Sequence, residues 1–207
     1  EPIITDPEEA KRKLSGTVDL FLVHDRRIIF RTDDSVVRPV PFTGVEEATA
    51  DSTVGGAAVD GGAVDGTGGR KPPEFTFLRR SRGYVPRLIR PAEPIVTDTL
   101  AVGGDLKSAP AFASGNDIYL APYIGDLENE ATNKAFEEQI QRITRLYDIK
   151  PKRLVYDMHP GYFSTRWAEQ QTIEVKVKVQ HHHAHILSVM AEHGLPETLG
   201  LSFDGTG

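Results

Sequence analysis

Four histidines fall within five residues in the run His181-His182-His183-Ala184-His185. Imidazole is the commonest protein ligand for transition metals, so the question is which of these rings can share a cation. On a helix, at about 100° per residue, His181 and His185 lie on one face one turn apart and can reach the same ion. That geometry points His182 and His183 elsewhere, although His182 with His185 is an alternative pair at i, i+3. A solvated helix start is the competing reading. A purification tag fits poorly, because tags are terminal and uninterrupted whereas this run is internal.

The flanking elements must position these rings. Thr172 to Val179 alternates apolar and polar residues, which puts Ile173, Val175, Val177 and Val179 on one face of a strand. From His181 to His193 the apolar residues Ile186, Leu187, Met190 and Ala191 recur at helical spacing, and Gly194 with Pro196 supplies the stop. Thr198 to Phe203 then reads as a second strand ending in Asp204-Gly205-Thr206-Gly207. A helix of about 12 residues descends about 18 Å, and a strand of about 6 residues climbs back about 20 Å. Asp204 therefore returns to the edge that carries His181 and His185, the edge where parallel sheets bind ligands. Two imidazoles and a carboxylate suit iron, zinc or manganese, with open positions for water or substrate.

The chain has 207 residues, with 24 Lys+Arg against 30 Asp+Glu and a formal net charge of -6. That balance makes neither a nucleic-acid nor a membrane argument. With no cysteine, disulfide frameworks and zinc-thiolate sites are excluded within this sequence. No apolar stretch approaches the roughly 20 residues of a membrane span, so a cytoplasmic protein without membrane partners is expected. The chain opens on Glu1-Pro2-Ile3 and stops inside a glycine loop, as a fragment of a longer protein would.

In the N-terminal part, residues 18–24 and 27–31 read as a hairpin around Asp25-Arg26, followed by Asp33 to Arg38. Periodicity vanishes between Pro41 and Pro73, where a glycine-rich stretch has too little large apolar surface to offset ordering, so 41–73 is expected to be a flexible insertion. Phe75 to Leu78 reads as a strand. Five arginines then fall between residues 79 and 90, a cluster that favours anions unless it is a solvated basic edge.

A boundary is expected near Pro91 to Pro94. Beyond it, Thr99 to Ser108 reads as strand and turn, Asp117 to Ala121 as a strand, and 129–147 as a helix with Phe136, Ile140, Ile143 and Tyr147 facing a core. Arg153 to Asp157 is a further strand, and Ser164 or Thr165 can cap a helix running to Gln171. The expected order is strand, strand, helix, strand, helix, strand, helix, strand, an α/β arrangement. With parallel crossovers, Asp157 and His159 share the edge of His181, His185 and Asp204. His159 is more often a hydrogen-bonding residue than a ligand.

Six ordered runs carry a resemblance: DDSVVR (33–38), FLRRSRGYVPR (77–87), LAVGGDLK (100–107), YIGDLEN (123–129), YDMHPGYFSTRWA (156–168) and VQHHHAHI (179–186). Together they are very similar to the HypF family of carbamoyltransferases of NiFe-hydrogenase maturation. The resemblance implies that residues 1–92 are the end of a YrdC-like α/β domain and 93–207 the first part of a TsaD-like domain with an actin-like, sugar-kinase-like fold. It implies that carbamoyl phosphate and ATP give carbamoyl adenylate, with magnesium accompanying ATP. The carbamoyl group then passes to the C-terminal cysteine of a HypE-type acceptor, as precursor of a cyanide ligand.

By the same resemblance His181, His185 and Asp204 match the family's metal ligands, for iron or zinc. Ser35 and Arg79 or Arg80 match nucleotide-facing positions, and Gly205 and Gly207 belong to a loop whose backbone N–H groups suit phosphate. Gly104-Asp105 departs from the alanine and glutamate expected there. Two other readings stay open. One is a related transferase acting on tRNA, through threonylcarbamoyl, or on a small-molecule hydroxyl. The other is a non-catalytic nucleotide- or RNA-binding module, since YrdC-like domains resemble double-stranded RNA binders.

Overall fold

Local signals at Asp6 start the first element: its carboxylate accepts from the N–H groups of Glu8 and Glu9 at 2.8 and 2.9 Å, and Pro7 occupies the first helical position. In the computed structural model, which describes residues 4–39, 75–91 and 94–205, this gives helix α1 (Pro7–Leu14). It is followed by β1 (Val36–Pro39), β2 (Phe75–Arg79), β3 (Arg87–Ile89), β4 (Ile95–Ala101), β5 (Ala111–Gly115) and β6 (Asp117–Leu120). Then come α2 (Glu130–Leu146), β7 (Arg153–Asp157), α3 (Phe163–Gln170), β8 (Val175–Val179) and α4 (His181–His193). The expected insertion at 41–73 lies outside the described residues.

β1 and β2 pair antiparallel. The other six strands form one mixed sheet in the order β3-β6-β5-β4-β7-β8. β4, β5 and β6 make an antiparallel meander, whereas β7 is parallel to both β4 and β8. The protein is therefore α/β, as the sequence predicts. β3 precedes the boundary expected near Pro91, yet it pairs with β6 in the larger sheet.

The core is built where apolar residues meet at helical and strand spacing. Phe136, Ile140 and Ile143 of α2 are buried against Leu100, Phe112 and Leu154 of the sheet. Phe136 also meets Phe163 and Trp167 of α3 edge-on, at 5.9 and 5.3 Å between ring centres, which locks the two helices together.

Several expected elements are corrected. Residues 18–31 contain no strand, and Leu20 and Leu22 are 86% and 100% exposed. An apolar run favours an extended chain, but a ladder needs a partner. Here the end of the segment docks on the larger unit instead: Phe30 packs on its core and the Ile29 carbonyl accepts from Arg142. Residues 198–203 form no strand either, for want of a paired neighbour among the described residues. An additional strand, β5, intervenes between β4 and β6.

The start of α3 is corrected too. Ser164 and Thr165 lie inside the helix and cap nothing; their hydroxyls donate to the carbonyls of Gly103 and Asp157 at 2.9 and 3.1 Å. The cap comes from across the sheet, where the Asp105 carboxylate accepts from the N–H groups of Phe163 and Ser164 at 2.6 and 3.0 Å. Removing it leaves two helix-end donors in a part-buried site. Asp105→Ala is expected to cost about 1–2 kcal/mol. Hydrogen exchange of the first amides of α3 should accelerate about 5- to 30-fold.

Candidate metal centre

β7 and β8 run parallel and end side by side, with Asp157 opposite Val179 in register. The chain leaves β8 through Gln180, whose side chain caps α4 by accepting from the His183 N–H at 2.8 Å. This cap fixes the first turn, so His181 and His185 project from one face with their rings 4.8 Å apart. At the other end Gly194 takes φ 63°, a left-handed turn that reverses the chain after α4. The returning segment brings Asp204 back without a ladder. Instead, Gly200 lies against Ile186 of α4, so close that a Cβ there would stand 2.5 Å from the Ile186 Cδ1.

The three expected ligand atoms meet. His181 Nε2 lies 2.9 Å from Asp204 Oδ2, His185 Nε2 lies 3.1 Å from the same oxygen, and the two Nε2 atoms are 3.2 Å apart. Ligands held at about 2.0–2.2 Å from a tetrahedral cation stand about 3.3–3.6 Å from one another, so this triangle is a slightly contracted face of such a site. His181 is partly buried while His185 and Asp204 are exposed, which leaves the outer side open to water or substrate.

The surroundings are specific. His181 Nδ1 lies 2.6 Å from Asp157 Oδ2, and Tyr162 meets the His181 ring edge-on at 6.2 Å. Gly104 backs the site: a Cβ there would sit 3.3 Å from Tyr162 and 3.4 Å from His181, so glycine at this position leaves the ring its room. His159 accepts from the Gly161 N–H at 3.1 Å and stacks on Tyr162 at 4.2 Å, a hydrogen-bonding and packing role. His182 is a correction. It does not point away, because Nδ1 lies 2.9 Å from Gln180 Nε2 and Nε2 lies 3.4 Å from the Asp204 carbonyl oxygen. The helix cap itself draws this ring toward the site. Gln180 and Gly200 are not legible as site residues: a glutamine before a helix is a weak cap signal, and Gly200 is defined by what it touches.

Electrostatics follow the geometry. Burial lowers the His181 pKa, but hydrogen bonds with Asp157 and Asp204 outweigh it and the net shift is upward from 6.5. The Asp204 carboxyl is held below its usual range, first by its hydrogen bond with His181 and also by that with His185. Without a metal, the protonated His181 therefore contributes stability that is complete below about pH 6.5 and is lost as pH rises through its raised folded pKa. A cation bound at Nε2 displaces that proton. Zinc affinity is thus expected to rise with pH across this range, with proton release that calorimetry in buffers of different ionisation enthalpy would detect.

The other expected site residues lie at the end of the two-stranded sheet. The Ser35 hydroxyl donates to the Arg82 carbonyl at 3.0 Å and accepts from the Ser81 N–H at 2.9 Å. Arg79 pairs with Asp33 at 3.3 Å and lies over the Tyr123 ring at 5.3 Å, while Arg80 lies over Phe77 at 4.0 Å. Ser35 thus ties the entry of β1 to the exit of β2. Arg82 and Arg90 are paired with Asp34 and Asp117. Gly205 donates its backbone N–H to Asp204, and Gly207 lies outside the described residues. No helix among the described residues is long and apolar enough to cross a membrane.

Comparison with known proteins agrees with this architecture. Residues 95–192 match the family described as the HypF Kae1-like domain. Carbamoyltransferase HypF of Synechocystis sp. is 40% identical over the whole chain, and carbamoyltransferase HypF2 of Cupriavidus necator is 37% identical over the whole chain. This chain covers 23% of each of those relatives. A crystal structure of full-length HypF in a phosphate- and nucleotide-bound form superposes with a TM-score of 0.79 at 36% identity, covering all of this chain and 28% of that one. The chain spans about a quarter of the length of the curated relatives it matches. Within that span, on the sequence match and the shared architecture alike, the chain belongs to the HypF family.

Proposed function

We propose that this chain is part of a carbamoyltransferase that forms carbamoyl adenylate and passes the carbamoyl group to a protein thiol. The observation that carries the reading is the His181–His185–Asp204 triangle, placed at the C-terminal edge of parallel strands in a chain similar over its whole length to HypF carbamoyltransferases. In this reading residues 1–92 belong to a YrdC-like domain that makes the adenylate and 93–207 to a TsaD-like domain that uses it.

The chemistry sets the requirements. Water cleaves carbamoyl phosphate to carbamate and phosphate; a carbamate oxygen then attacks the α-phosphorus of ATP, the bond to the β-phosphate breaks, and pyrophosphate leaves to give carbamoyl adenylate. A thiolate at the acceptor's C-terminal cysteine then attacks the carbamoyl carbon; a C–S bond forms, the C–O bond to phosphate breaks, and AMP leaves. The mixed anhydride is destroyed by water, so the transfer site must be formed in advance. A divalent cation held by His181, His185 and Asp204, iron or zinc by its donor set, would supply charge to polarise the carbonyl or the departing phosphate. Asp204 and His185 present their ligand atoms toward solvent, where substrate arrives, while His181 is anchored from behind by Asp157. That a HypF relative crystallised in a nucleotide-bound form is consistent with ATP as co-substrate.

The test is ATP–pyrophosphate exchange by the full-length protein. Exchange that depends on carbamoyl phosphate is the expected result. Exchange that depends instead on threonine and bicarbonate would move the protein to the tRNA-modifying relatives, and no exchange with either would sink the adenylate reading.

A further inference from the structure

We propose that Asp157 is a positioning residue for the metal centre: its carboxylate, locked by the turn after β7, holds His181 in the tautomer that presents the Nε2 lone pair to a cation. The inference rests on the metal reading above and extends it to a residue that contributes no ligand atom.

Asp157 is the last residue of β7, and its side chain is only 6% exposed. Each of its oxygens has a defined task. Oδ1 accepts from the His159 N–H at 2.8 Å, closing a turn two residues long, and Oδ2 lies 2.6 Å from His181 Nδ1. The Asp157 carbonyl accepts from the buried Thr165 hydroxyl at 3.1 Å, which anchors the backbone of the same residue to α3. An ionised carboxylate can only accept, so Nδ1 must carry the hydrogen of this bond. Asp204 Oδ2 faces the opposite nitrogen at 2.9 Å, so the metal-free ring carries hydrogen on both nitrogens when protonated; on losing one, the shorter bond to the buried Asp157 keeps the hydrogen on Nδ1, and the lone pair falls on Nε2, the atom that faces His185 Nε2 and Asp204 Oδ2. A carboxylate behind a metal-bound histidine fixes both ring orientation and basicity, and its loss typically weakens metal binding about 10- to 100-fold.

The geometry separates two variants. In Asp157→Asn the amide oxygen is still required by the His159 N–H, so the NH2 group must face His181. It would donate to Nδ1 and drive the ring's hydrogen to Nε2, the ligand atom. Asp157→Ala removes the acceptor but leaves the ring free to adopt either tautomer. The isosteric asparagine should therefore harm the site more than alanine, the reverse of what packing alone would give.

The experiment uses full-length protein labelled with 15N-histidine and stripped of metal, with the His181 signals identified by their loss in His181→Ala. Zinc Kd is measured in parallel by competition with a chromogenic chelator. With spectra taken at a pH where the His181 ring is neutral, expected are the Nδ1–H form in the parent, the Nε2–H form in Asp157→Asn, and a zinc Kd raised about 10- to 100-fold in that variant, more than in Asp157→Ala. An unchanged tautomer with Kd within about twofold of the parent in Asp157→Asn would overturn the proposal, as would a greater loss in Asp157→Ala. If the parent binds zinc no better than His181→Ala, the metal reading itself fails. The tautomer is read without metal, so it still decides the role of Asp157.

Discussion

His181→Ala or His185→Ala in the full-length protein is expected to weaken zinc binding several hundred-fold, whereas His183→Ala should leave it within about twofold. The magnitude follows from the affinity of protein zinc sites, of order 10–16 kcal/mol, shared among about four ligands; losing one removes about 2.5–4 kcal/mol, centred on a few hundred-fold. The selectivity follows from the helix. His181 and His185 are one turn apart and bring their Nε2 atoms to 3.2 Å, while His183 is exposed and its backbone N–H serves the Gln180 cap. His182 is the instructive intermediate: it contacts Gln180 and approaches the Asp204 carbonyl but contributes no atom to the triangle. His182→Ala should weaken zinc by less than tenfold, through the freedom given to Asp204. Competition titrations on the four variants decide the matter, and equal losses in all four would show that the run binds metal as an unstructured histidine cluster.

The metal triangle is legible in the sequence because it depends on two periodicities and one length. The helical repeat pairs His181 with His185, and the rise per residue of helix and returning chain brings Asp204 back to them. That arithmetic holds whether or not the returning chain is hydrogen-bonded, so Asp204 arrives even though residues 198–203 form no strand. Apolar patterning predicts strands with mixed success for the same reason. β7 and β8 have partners, whereas residues 18–31 form no ladder and only their end, at Ile29, meets α2. The cap of α3 is misread because the chain offers Ser164 and Thr165 locally, and only the folded sheet reveals that Asp105 reaches the helix end first. α1 goes unpredicted although Asp6-Pro7-Glu8-Glu9 is a strong start signal, with cap, proline and acidic first turn all in place. Asp157 can be placed at the correct edge from topology. Its bond to His181 Nδ1 depends on a side-chain rotamer set by the His159 N–H, which no pattern in the sequence encodes.

Gly200→Ala is expected to weaken zinc binding about 10- to 100-fold without touching a ligand, an effect of the size seen for groups that orient ligands. A Cβ at this position would stand 2.5, 2.6 and 2.7 Å from Cδ1, Cγ2 and Cγ1 of Ile186. Carbon atoms in contact keep about 3.5–4.0 Å, so about 1 Å of movement is required. Ile186 cannot supply it cheaply, because a β-branched residue on a helix has one strongly preferred χ1. The returning segment is the softer partner: it has no ladder, and Leu199 and Leu201 on either side of Gly200 are 92% and 72% exposed. It therefore swings outward and takes Asp204, four residues on, away from His181 and His185. The partner substitution tests this directly. Ile186→Ala removes all three opposing carbons, so Ile186→Ala alone should bind zinc nearly as the parent does, and in combination with Gly200→Ala it should restore most of the lost affinity. The coupling in that double-mutant cycle is the signature of one close contact. If the losses merely add, Asp204 is held by something other than the seat of Gly200 on α4.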